Sequence, residues 1–393
     1  MRALLNAILI LVAAPAVLSA LYLLALTVLS WRAPARARSS RRHRFDIIVP
    51  AHDEALVILR TIEGLKAIDW PADRFRIVVV ADNCTDDTAT IAAHAGAVVL
   101  ERQNATLRGK GHALEFAFRR SRDDGFADAV VVVDADAVVS PNLLEGIASR
   151  LDDGEQAVQV LYGILNPDAS WRTRLLTIAT AAFHIVRSRA RERLGLSCGI
   201  RGNGWCVTHD LLATVPYGAY SLAEDIEYGI TLGLAGVRVA YVDEAYSNAE
   251  MVTGEKASRQ QRQRWEHGRL QLVRSRTGTL LAAAFTRPSA LCLDLALDLI
   301  VLPLSYVIIN ILVLAGLAAA AASLYPGMAA WLWVPVACLA GILSYVLRGW
   351  QLSGIGARGL LDLARAPFYL LWKVVLMLRP YGKEWIRTDR ERS

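Results

Sequence analysis

The sequence has few cysteines and lacks the common phosphate-binding motifs. Its five cysteines are an odd number, scattered from Cys84 to Cys338 without a CxxC pair. This pattern indicates neither a disulfide framework nor a zinc site. No GxGxxG follows a predicted strand, and neither GxxxxGKS nor GxxxxGKT occurs. The dinucleotide-binding and P-loop classes of protein therefore lack support.

Charged side chains are also scarce. They make up 20% of the 393 residues, against 54% hydrophobic residues, and the formal net charge is +6. Such a chain has ample apolar surface to bury, which excludes intrinsic disorder. The hydrophobic share is higher than in an ordinary soluble domain. We therefore expect one sizeable domain together with membrane segments.

The apolar residues are concentrated at the two ends of the chain. Residues 3–29 carry no charged side chain, and a membrane-crossing helix needs about 20 apolar residues. A signal peptide cleaved near Ala20 is the alternative, but its apolar core would be only about 7–15 residues long. We therefore predict an uncleaved transmembrane anchor over residues 1–31.

Two further spans are predicted at 299–322 and 329–347, within a membrane region over residues 291–348. Arginines follow the first and the last span, and cytoplasmic flanks hold the Arg and Lys excess. The pattern predicts a multi-pass protein of the cell (inner) membrane with a cytoplasmic middle domain. A nucleic-acid-binding arm is the alternative for the first basic stretch. Its position beside a span favours the interpretation that it sets the orientation of the protein in the membrane. Residues 349–393 are predicted to form an interfacial helix, at 360–378, and a cytosolic tail, with a fourth span as the alternative.

The middle of the chain, residues 45–287, alternates β-branched runs with helical patterns. Strands are predicted at 46–50, 76–80 and 129–133, and helices at 55–67 and elsewhere. Val- and Ile-rich runs separated by helices are typical of a mostly parallel sheet buried on both faces. The predicted fold class is therefore α/β and Rossmann-like.

Acidic residues follow the predicted strands. Asp53 and Glu54 follow the first, Asp82 the second, and Asp134 and Asp136 the third. Ligands bind at the carboxyl ends of parallel strands, and clustered carboxylates repel each other unless a cation compensates. Carboxylates at i and i+2 of an extended segment point the same way. They can bind Mg²⁺ or Mn²⁺, which in turn holds a diphosphate. A solvated loop is the alternative.

Two further candidates lie downstream. Asp225 lies at the start of a predicted helix. The structural alternative is that it only stabilises the helix, because acidic residues in the first turn interact favourably with the helix dipole. Gln261, Arg264 and Trp265 have the spacing i, i+3 and i+4 and share one helix face. An arginine there can bind a diphosphate through its fork of donors.

Taken in order, these segments resemble the membrane-bound family 2 glycosyltransferases with a GT-A fold. That branch includes cellulose, chitin and hyaluronan synthases, rhizobial chito-oligosaccharide synthases and ceramide glucosyltransferase-like enzymes. The QxxRW element after an acidic pair is the most specific part of the resemblance, which covers about residues 46–269. It rests on Val49–Glu54, Val80–Asn83, Lys110–Leu114, Asp134–Asp136 (DxD), Gly202–Gly204, Glu224–Asp225 and Gln261–Trp265 (QxxRW).

The resemblance implies a GT-A glycosyltransferase domain over residues 45–287 and a role for each candidate. Asp225 would be the general base, and Gln261, Arg264 and Trp265 would complete the catalytic set. The metal, Mg²⁺ or Mn²⁺, would be bound by Asp136 with Asp134. The remaining candidates would bind the donor (Pro50, Ala51, Glu54, Asp82, Lys110 and Asp134) or the acceptor (Gly202, Asn203, Gly204 and Trp265).

The implied activity is inverting, metal-dependent transfer of a sugar from a nucleotide sugar, first of all a UDP sugar, to a lipid or short glycan at the membrane. No nucleic acid is implied as a partner, and partner membrane subunits are compatible with it. A processive polysaccharide synthase is the first alternative, and three predicted spans are few for threading a polymer. A non-catalytic nucleotide-sugar-binding regulator and a nucleotidyltransferase are the alternatives from other classes.

Overall fold

A computed structural model describes residues 1–32, 37–251 and 255–368, with side chains from residue 261 onward in the last segment. The chain divides into two compact units. The helical unit contains residues 1–31, 167–190 and, within the described part, 297–368. The sheet unit contains the described residues of 32–166 and 191–296.

Strands and helices alternate along the middle of the chain. The strands are β1 (Phe45–Ala51), β2 (Phe75–Asp82), β3 (Val98–Arg102), β4 (Ala129–Val132), β5 (Val138–Val139), β6 (Ala157–Ile164), β7 (Trp205–Thr208) and β8 (Ala240–Ala249). The helices are α1 (Arg2–Val28), α2 (Ile58–Lys66), α3 (Thr88–His94), α4 (Lys110–Asp124), α5 (Leu143–Asp152), α6 (Trp171–Thr180), α7 (Arg187–Arg193), α8 (His209–Thr214), α9 (Glu224–Leu234), α10 (Glu255–Thr286), α11 (Ala290–Ile300), α12 (Leu304–Leu324), α13 (Trp333–Ser353) and α14 (Ala357–Leu363). A π-helix over Ala181–Val186 joins α6 to α7, and 3₁₀ segments lie at Ala72–Arg74, Pro167–Ala169 and Pro326–Leu332.

The sheet has the order β3-β2-β1-β4-β7-β6-β8-β5. Strands β3, β2, β1 and β4 run parallel, and β8 runs parallel to β6. Strand β7 is antiparallel to both β4 and β6, and β5 is antiparallel to β8. The predicted α/β class with a mostly parallel sheet is confirmed. The reversed direction of β7 matters for the site, because its amino end lies beside the carboxyl end of β4.

Strand β1 shows why the Val- and Ile-rich runs become central strands. Ile47 and Val49 lie in one buried apolar cluster with α2 and α5. Ile48 points to the opposite face, into a second cluster with Leu114 and Phe118 of α4. Successive strand residues face opposite sides, so a continuous apolar run requires cover on both faces. The helices supply it, and the sheet is buried between them.

Two predicted helix limits are wrong for identifiable reasons. Helix α2 begins at Ile58 instead of residue 55, because the backbone N–H groups of Glu54 and Ala55 donate to Thr88 Oγ1 and Asp86 Oδ2 at 2.8 and 3.1 Å. Helix α12 begins at Leu304 instead of residue 299. Pro303 precedes it, and a proline restricts the residue before it to extended backbone.

The basic segment after α1 is held by the sheet unit. The backbone N–H groups of Ser39 and Ser40 donate to Glu145 Oε1 and Asp152 Oδ2, each at 2.6 Å. The Arg41 guanidinium lies 2.9 Å from the Asp69 carboxylate. The sequence suggested only a topological role for this segment. In the structure its described part also docks on an acidic surface that α5 contributes to.

The helical unit contains three helical segments that are long and apolar enough to cross a membrane, among the described residues. They are Arg2–Val28, Leu304–Leu324 and Pro326–Ser353. Leu23, Ile311 and Ile342 are among the buried side chains that pack these segments together. Their orientation in a membrane and the domain limits expected from the sequence stay predictions.

The predicted helix at 360–378 falls partly outside the described residues. Helix α14 covers Ala357–Leu363, and residues 369–378 are not described. Ahead of α12, Asp298 is neutralised by an arginine. Its Oδ1 lies 2.7 Å from Arg187 Nη1 in the helical unit.

Candidate functional site

The donor end of the predicted site begins where β1 and β2 end. Ala51 pairs with Ala81 in parallel register, which places Pro50 and Ala51 beside the end of β2. The Glu54 N–H donates to Thr88 Oγ1, in the segment that follows β2. Asp82 closes β2 and is buried. Parallel pairing therefore brings these predicted donor residues to one edge of the sheet.

Asp82 is fixed by its neighbour Asn83 and by Arg102, which the sequence patterns did not single out. Arg102 Nη1 lies 2.5 Å from Asp82 Oδ1, and Asn83 Nδ2 donates to the same oxygen at 3.0 Å. Arg102 ends β3 and pairs with Asp82 in the sheet register. The signal in the sequence was an arginine at the end of a β-branched run, and it acquires meaning only once β3 is known to neighbour β2.

Asp53 has a local structural role. Its backbone lies in the left-handed region, with φ of 55°, and its carboxylate accepts a hydrogen bond from the Thr85 N–H at 2.6 Å. Burial would raise the pKa of Asp53, but the hydrogen bonds from Thr85 outweigh it and lower the pKa. Asp53, Cys84 and Asp86 offer ligand atoms within 4.8 Å of one another. Both carboxylates of this group accept backbone hydrogen bonds.

Lys110 is the centre of the site. Its Nζ lies 2.6 Å from Asp134 Oδ1, donates to the Gly202 carbonyl at 2.8 Å and lies 3.9 Å from Glu224 Oε1. One side chain thus joins α4, the end of β4, the loop before β7 and the start of α9. Burial alone would lower the pKa of Lys110, but the charges of Asp134 and Glu224 raise it instead. The lysine therefore stays protonated.

Helix α4 reaches this position because Gly111 has no side chain. A Cβ on Gly111 would lie 2.2 Å from the Ala219 carbonyl oxygen. That separation is well inside van der Waals contact, so any other residue would push Lys110 and the first turn of α4 away. Within the KGHAL segment, Lys110 supplies the charge, and Gly111 allows the close approach to Ala219 that positions Lys110.

The loop before β7 is tied to the acidic loop after β4. Asn203 Oδ1 accepts hydrogen bonds from the Asp134 backbone N–H at 3.1 Å and from Ser247 Oγ at 3.0 Å. The Gly204 N–H donates to the Val132 carbonyl at 2.9 Å. Asn203 is fully buried. Its amide therefore holds the backbone of Asp134 in place.

Gln159 braces the same loop and was also missed from the sequence. Its Oε1 accepts from the Arg201 N–H at 2.8 Å, and its Nε2 donates to the Asn203 carbonyl at 2.7 Å. Gln159 stands between two buried valines on β6. A polar residue inside an apolar strand needs buried partners, and that was the available signal.

Asp225 faces this loop from the start of α9. A Cβ on Gly202 would lie 3.5 Å from Asp225 Oδ2, and Gly202 has a φ of 78°. Burial raises the pKa of Asp225, and the charges of Lys110 and Arg201 oppose the shift. Burial also raises the pKa of Glu224 to about 7 against the opposing charge of Lys110. A buried carboxylate with a raised pKa is suited to accept a proton.

Helix α10 packs against the amino end of α9. A Cβ on Gly268 would lie 3.1 Å from Ala223 Cβ, just ahead of Glu224. Arg276 Nη2 lies 3.0 Å from Glu227 Oε1. The basic helix is therefore held against the segment that carries the predicted base.

The QxxRW residues lie on this part of α10. Arg264 and Trp265 stand four and three residues before Gly268, a spacing that places them on the face that meets Ala223. Trp265 is 39% exposed, and Gln261 and Arg264 are half-buried. Their catalytic roles stay predictions.

Residues 43–268 match a family model described as "Glycosyltransferase like family 2". The match covers more than half of the chain. The chain belongs to this family.

Curated relatives and solved structures resemble this family 2 chain over different lengths. "Probable glycosyltransferase YdaM" of Bacillus subtilis is 25% identical over 58% of the chain and 56% of its own length. "Beta-monoglucosyldiacylglycerol synthase" of Synechocystis is 28% identical over 56% of the chain and 47% of its own length. The chain thus spans about half the length of these relatives. Mannosyltransferase PcManGT of Pyrobaculum calidifontis has a TM-score of 0.53 at 18% identity, over 86% of this chain and 98% of that one. This likeness confirms the GT-A fold.

Three acidic groups of this family 2 site act electrostatically on Tyr162, which the sequence patterns also did not single out. Burial raises the pKa of the Tyr162 hydroxyl, and the charges of Asp134, Asp136 and Asp225 raise it further. The donor set fits a hard divalent cation, because carboxylate oxygens are the ligands that Mg²⁺ and Mn²⁺ prefer. One oxygen of Asp134 lies on Lys110, and binding of a cation by Asp134 and Asp136 stays a prediction.

Proposed function

We propose that the chain is an inverting, metal-dependent glycosyltransferase that moves a sugar from a UDP sugar to a lipid or short glycan acceptor at the membrane. The observation that carries the proposal is the meeting of Asp134, Lys110, Gly202 and Asp225 at one edge of the sheet. It joins the predicted donor loop, acceptor loop and base in a chain of the glycosyltransferase-like family 2.

On the donor side, the Lys110 ammonium suits the diphosphate of a nucleotide sugar. Asp136 and Asp134 would hold the divalent cation, which when bound neutralises charge on the leaving diphosphate. The mannosyltransferase structure contains GDP-mannose and Mn²⁺, which supports a cation of this kind. Arg264 would add positive charge from α10.

On the acceptor side, Asp225 would take the proton from the attacking hydroxyl. Its raised pKa makes it a better base than a solvated carboxylate. Gly202 presents no side chain beside Asp225, which leaves space for an acceptor oxygen. One direct displacement inverts the anomeric centre, and no carboxylate nucleophile is needed.

The membrane location and the acceptor are supported by separate observations. Three candidate spans support a multi-pass protein, and the arginines that follow α1 and α13 support a cytoplasmic catalytic domain. Three relatives are named beta-monoglucosyldiacylglycerol synthases, which supports a lipid acceptor. The length of the product distinguishes this proposal from processive synthesis, because a processive synthase would make a long polysaccharide.

The test uses the full chain in membranes with Mn²⁺ and separate UDP and GDP sugars. Nucleoside diphosphate release is followed, and the product is identified by mass spectrometry. Asp225→Asn should reduce transfer by about 100-fold or more. Asp210→Asn, an exposed carboxylate on α8, is the matched control and should remain active. Full activity of Asp225→Asn would contradict the assigned base, and pyrophosphate release would indicate a nucleotidyltransferase.

A further inference from the structure

Among the described residues, the helical unit holds an arginine whose charge no carboxylate neutralises. Arg348 lies near the end of α13, and all its hydrogen bonds within the described part of the chain go to neutral oxygens. Its Nε and Nη2 donate to Ser30 Oγ and the Ser30 carbonyl at 2.9 and 3.1 Å, and its Nη1 donates to Gln351 Oε1 at 2.6 Å. A guanidinium has five N–H donors, so two remain.

Other arginines of the same unit form ion pairs with carboxylates. Arg187 Nη1 lies 2.7 Å from Asp298, and Arg174 Nε lies 2.5 Å from Asp362. These carboxylates neutralise the buried guanidinium of Arg187 and the partly buried one of Arg174, as expected where charge is removed from water. Arg348 is partly buried, and its described contacts include no such carboxylate.

A second positive charge acts on Arg348, that of Arg189 in α7. An anion bound at the remaining N–H donors of Arg348 would neutralise its charge, and the charge of Arg189 would add to the attraction. The Arg348–Ser30 bonds fix the geometry, so the site is built before an anion arrives.

The surroundings are those of a membrane interface. The Arg348 guanidinium stacks over the ring of Trp31 at 5.4 Å, and Trp31 is 65% exposed. Trp side chains are enriched where apolar chains meet headgroups. Leu343 and Leu347, one turn apart on α13, are exposed beside this end of the helix. An apolar stripe that leads to a pair of arginines matches an acyl chain that ends in a phosphate.

We propose that Arg348, Arg189 and Trp31 form a binding site for the phosphate of an anionic phospholipid at the end of α1 and α13. The fork of Arg348 binds the phosphate oxygens, which suit two parallel N–H donors. Leu343 and Leu347 contact the acyl chain. The site lies wholly in the helical unit. It depends on the membrane location proposed above and not on glycosyl transfer.

The experiment uses the full chain in nanodiscs that contain equal parts of phosphatidylcholine and phosphatidylglycerol. Native mass spectrometry measures the lipid retained after release from the disc. The wild type should retain phosphatidylglycerol in preference to phosphatidylcholine. Arg348→Gln should reduce the retained fraction about tenfold or more, since charge-assisted hydrogen bonds are lost. Arg358→Gln, which removes an exposed arginine of the same unit, is the matched control and should retain the lipid.

Two further arms keep the proposal testable. Arg348→Lys keeps the charge and loses the fork, so it should retain much less phosphatidylglycerol than the wild type even if Arg348→Gln fails to fold. Inorganic phosphate in the buffer should not displace the lipid. Equal retention in Arg348→Lys and the wild type, equal loss in Arg358→Gln, or displacement by inorganic phosphate would each overturn the proposal.

Discussion

Replacing Lys110 by Met tests the electrostatics of the proposed site. The substitution removes the ammonium that lies 2.6 Å from Asp134 and 3.9 Å from Glu224. A unit charge at this distance is worth about 4 kcal/mol at an effective dielectric constant of about 20. The Lys110 and Glu224 side chains are 26% and 16% exposed, so we discount this to roughly 1–2 kcal/mol for solvent screening. One pKa unit corresponds to about 1.4 kcal/mol. The carboxyl pair of Glu224 and Asp225 should therefore titrate about one unit higher.

The sign of the effect on activity follows from the role of the base. Asp225 must be ionised to accept a proton, and Lys110 favours the ionised form. Without the lysine, a smaller fraction of Asp225 is ionised at any one pH. The low-pH limb of the activity profile should therefore move upward by about one pH unit.

The assay is nucleoside diphosphate release at saturating donor between about pH 5.5 and 9, which isolates the bound state of the enzyme. Lys110→Arg keeps the charge and should keep the limb near its original pH. Lys66→Met, on the exposed side of α2, should leave the profile unchanged. A Lys110→Met variant whose rate falls at every pH, with the limb unmoved, would refute the electrostatic explanation.

Three further predictions concern groups around Lys110. Glu224→Gln should remove a pH-dependent loss of stability. Burial raises the folded-state pKa of Glu224 from 4.5 to about 7, so stability that is present below pH 4.5 is lost as the pH rises toward 7. Thermal unfolding of wild type and variant should converge near pH 4.5 and diverge at pH 8; parallel curves would contradict this. Asn203→Ala should destabilise by about 1–3 kcal/mol and lower the maximal rate, because the Asp134 N–H loses its acceptor. Ser247→Ala, which removes one donor, should cost less in both measurements, and the reverse order would contradict the proposed role of Asn203. Gly111→Ala should cost about 1–3 kcal/mol or more through overpacking against Ala219. Gly64→Ala, where a Cβ meets nothing within 4 Å, should be neutral or stabilising, and equal melting temperatures for the two variants would contradict the contact.

Three of the strands, at 46–50, 76–80 and 129–133, and the mostly parallel character of the sheet could be predicted because they depend on local patterns. The continuous Val and Ile runs at 46–50 and 129–133 fit only strands covered on both faces. The polar residues that follow them were predicted to meet, since carboxyl ends of parallel strands share one edge. The meeting of Asp134 with Lys110 depends on the same rule.

The bracing contacts could not be predicted in the same way. Arg102 contacts Asp82, and Gln159 and Asn203 fix the loop before β7, through pairings that depend on which strands are neighbours. The insertion of β7 between β4 and β6 has no local signature. The start of α2 was misplaced for a related reason, because the residues before it bond to the segment after β2 instead of continuing the helix.

Because β7 runs in the reverse direction, sequence changes in the segment before it can be distinguished from changes in the parallel strands. Its amino end enters the sheet at the edge where β4 leaves it, and its carboxyl end turns into α8 at the opposite edge. On the proposed function, exchange of residues 194–201 between related chains would alter the segment that leads into the predicted acceptor loop, while the parallel strands keep their register. We would then expect acceptor preference to change more readily than nucleotide recognition.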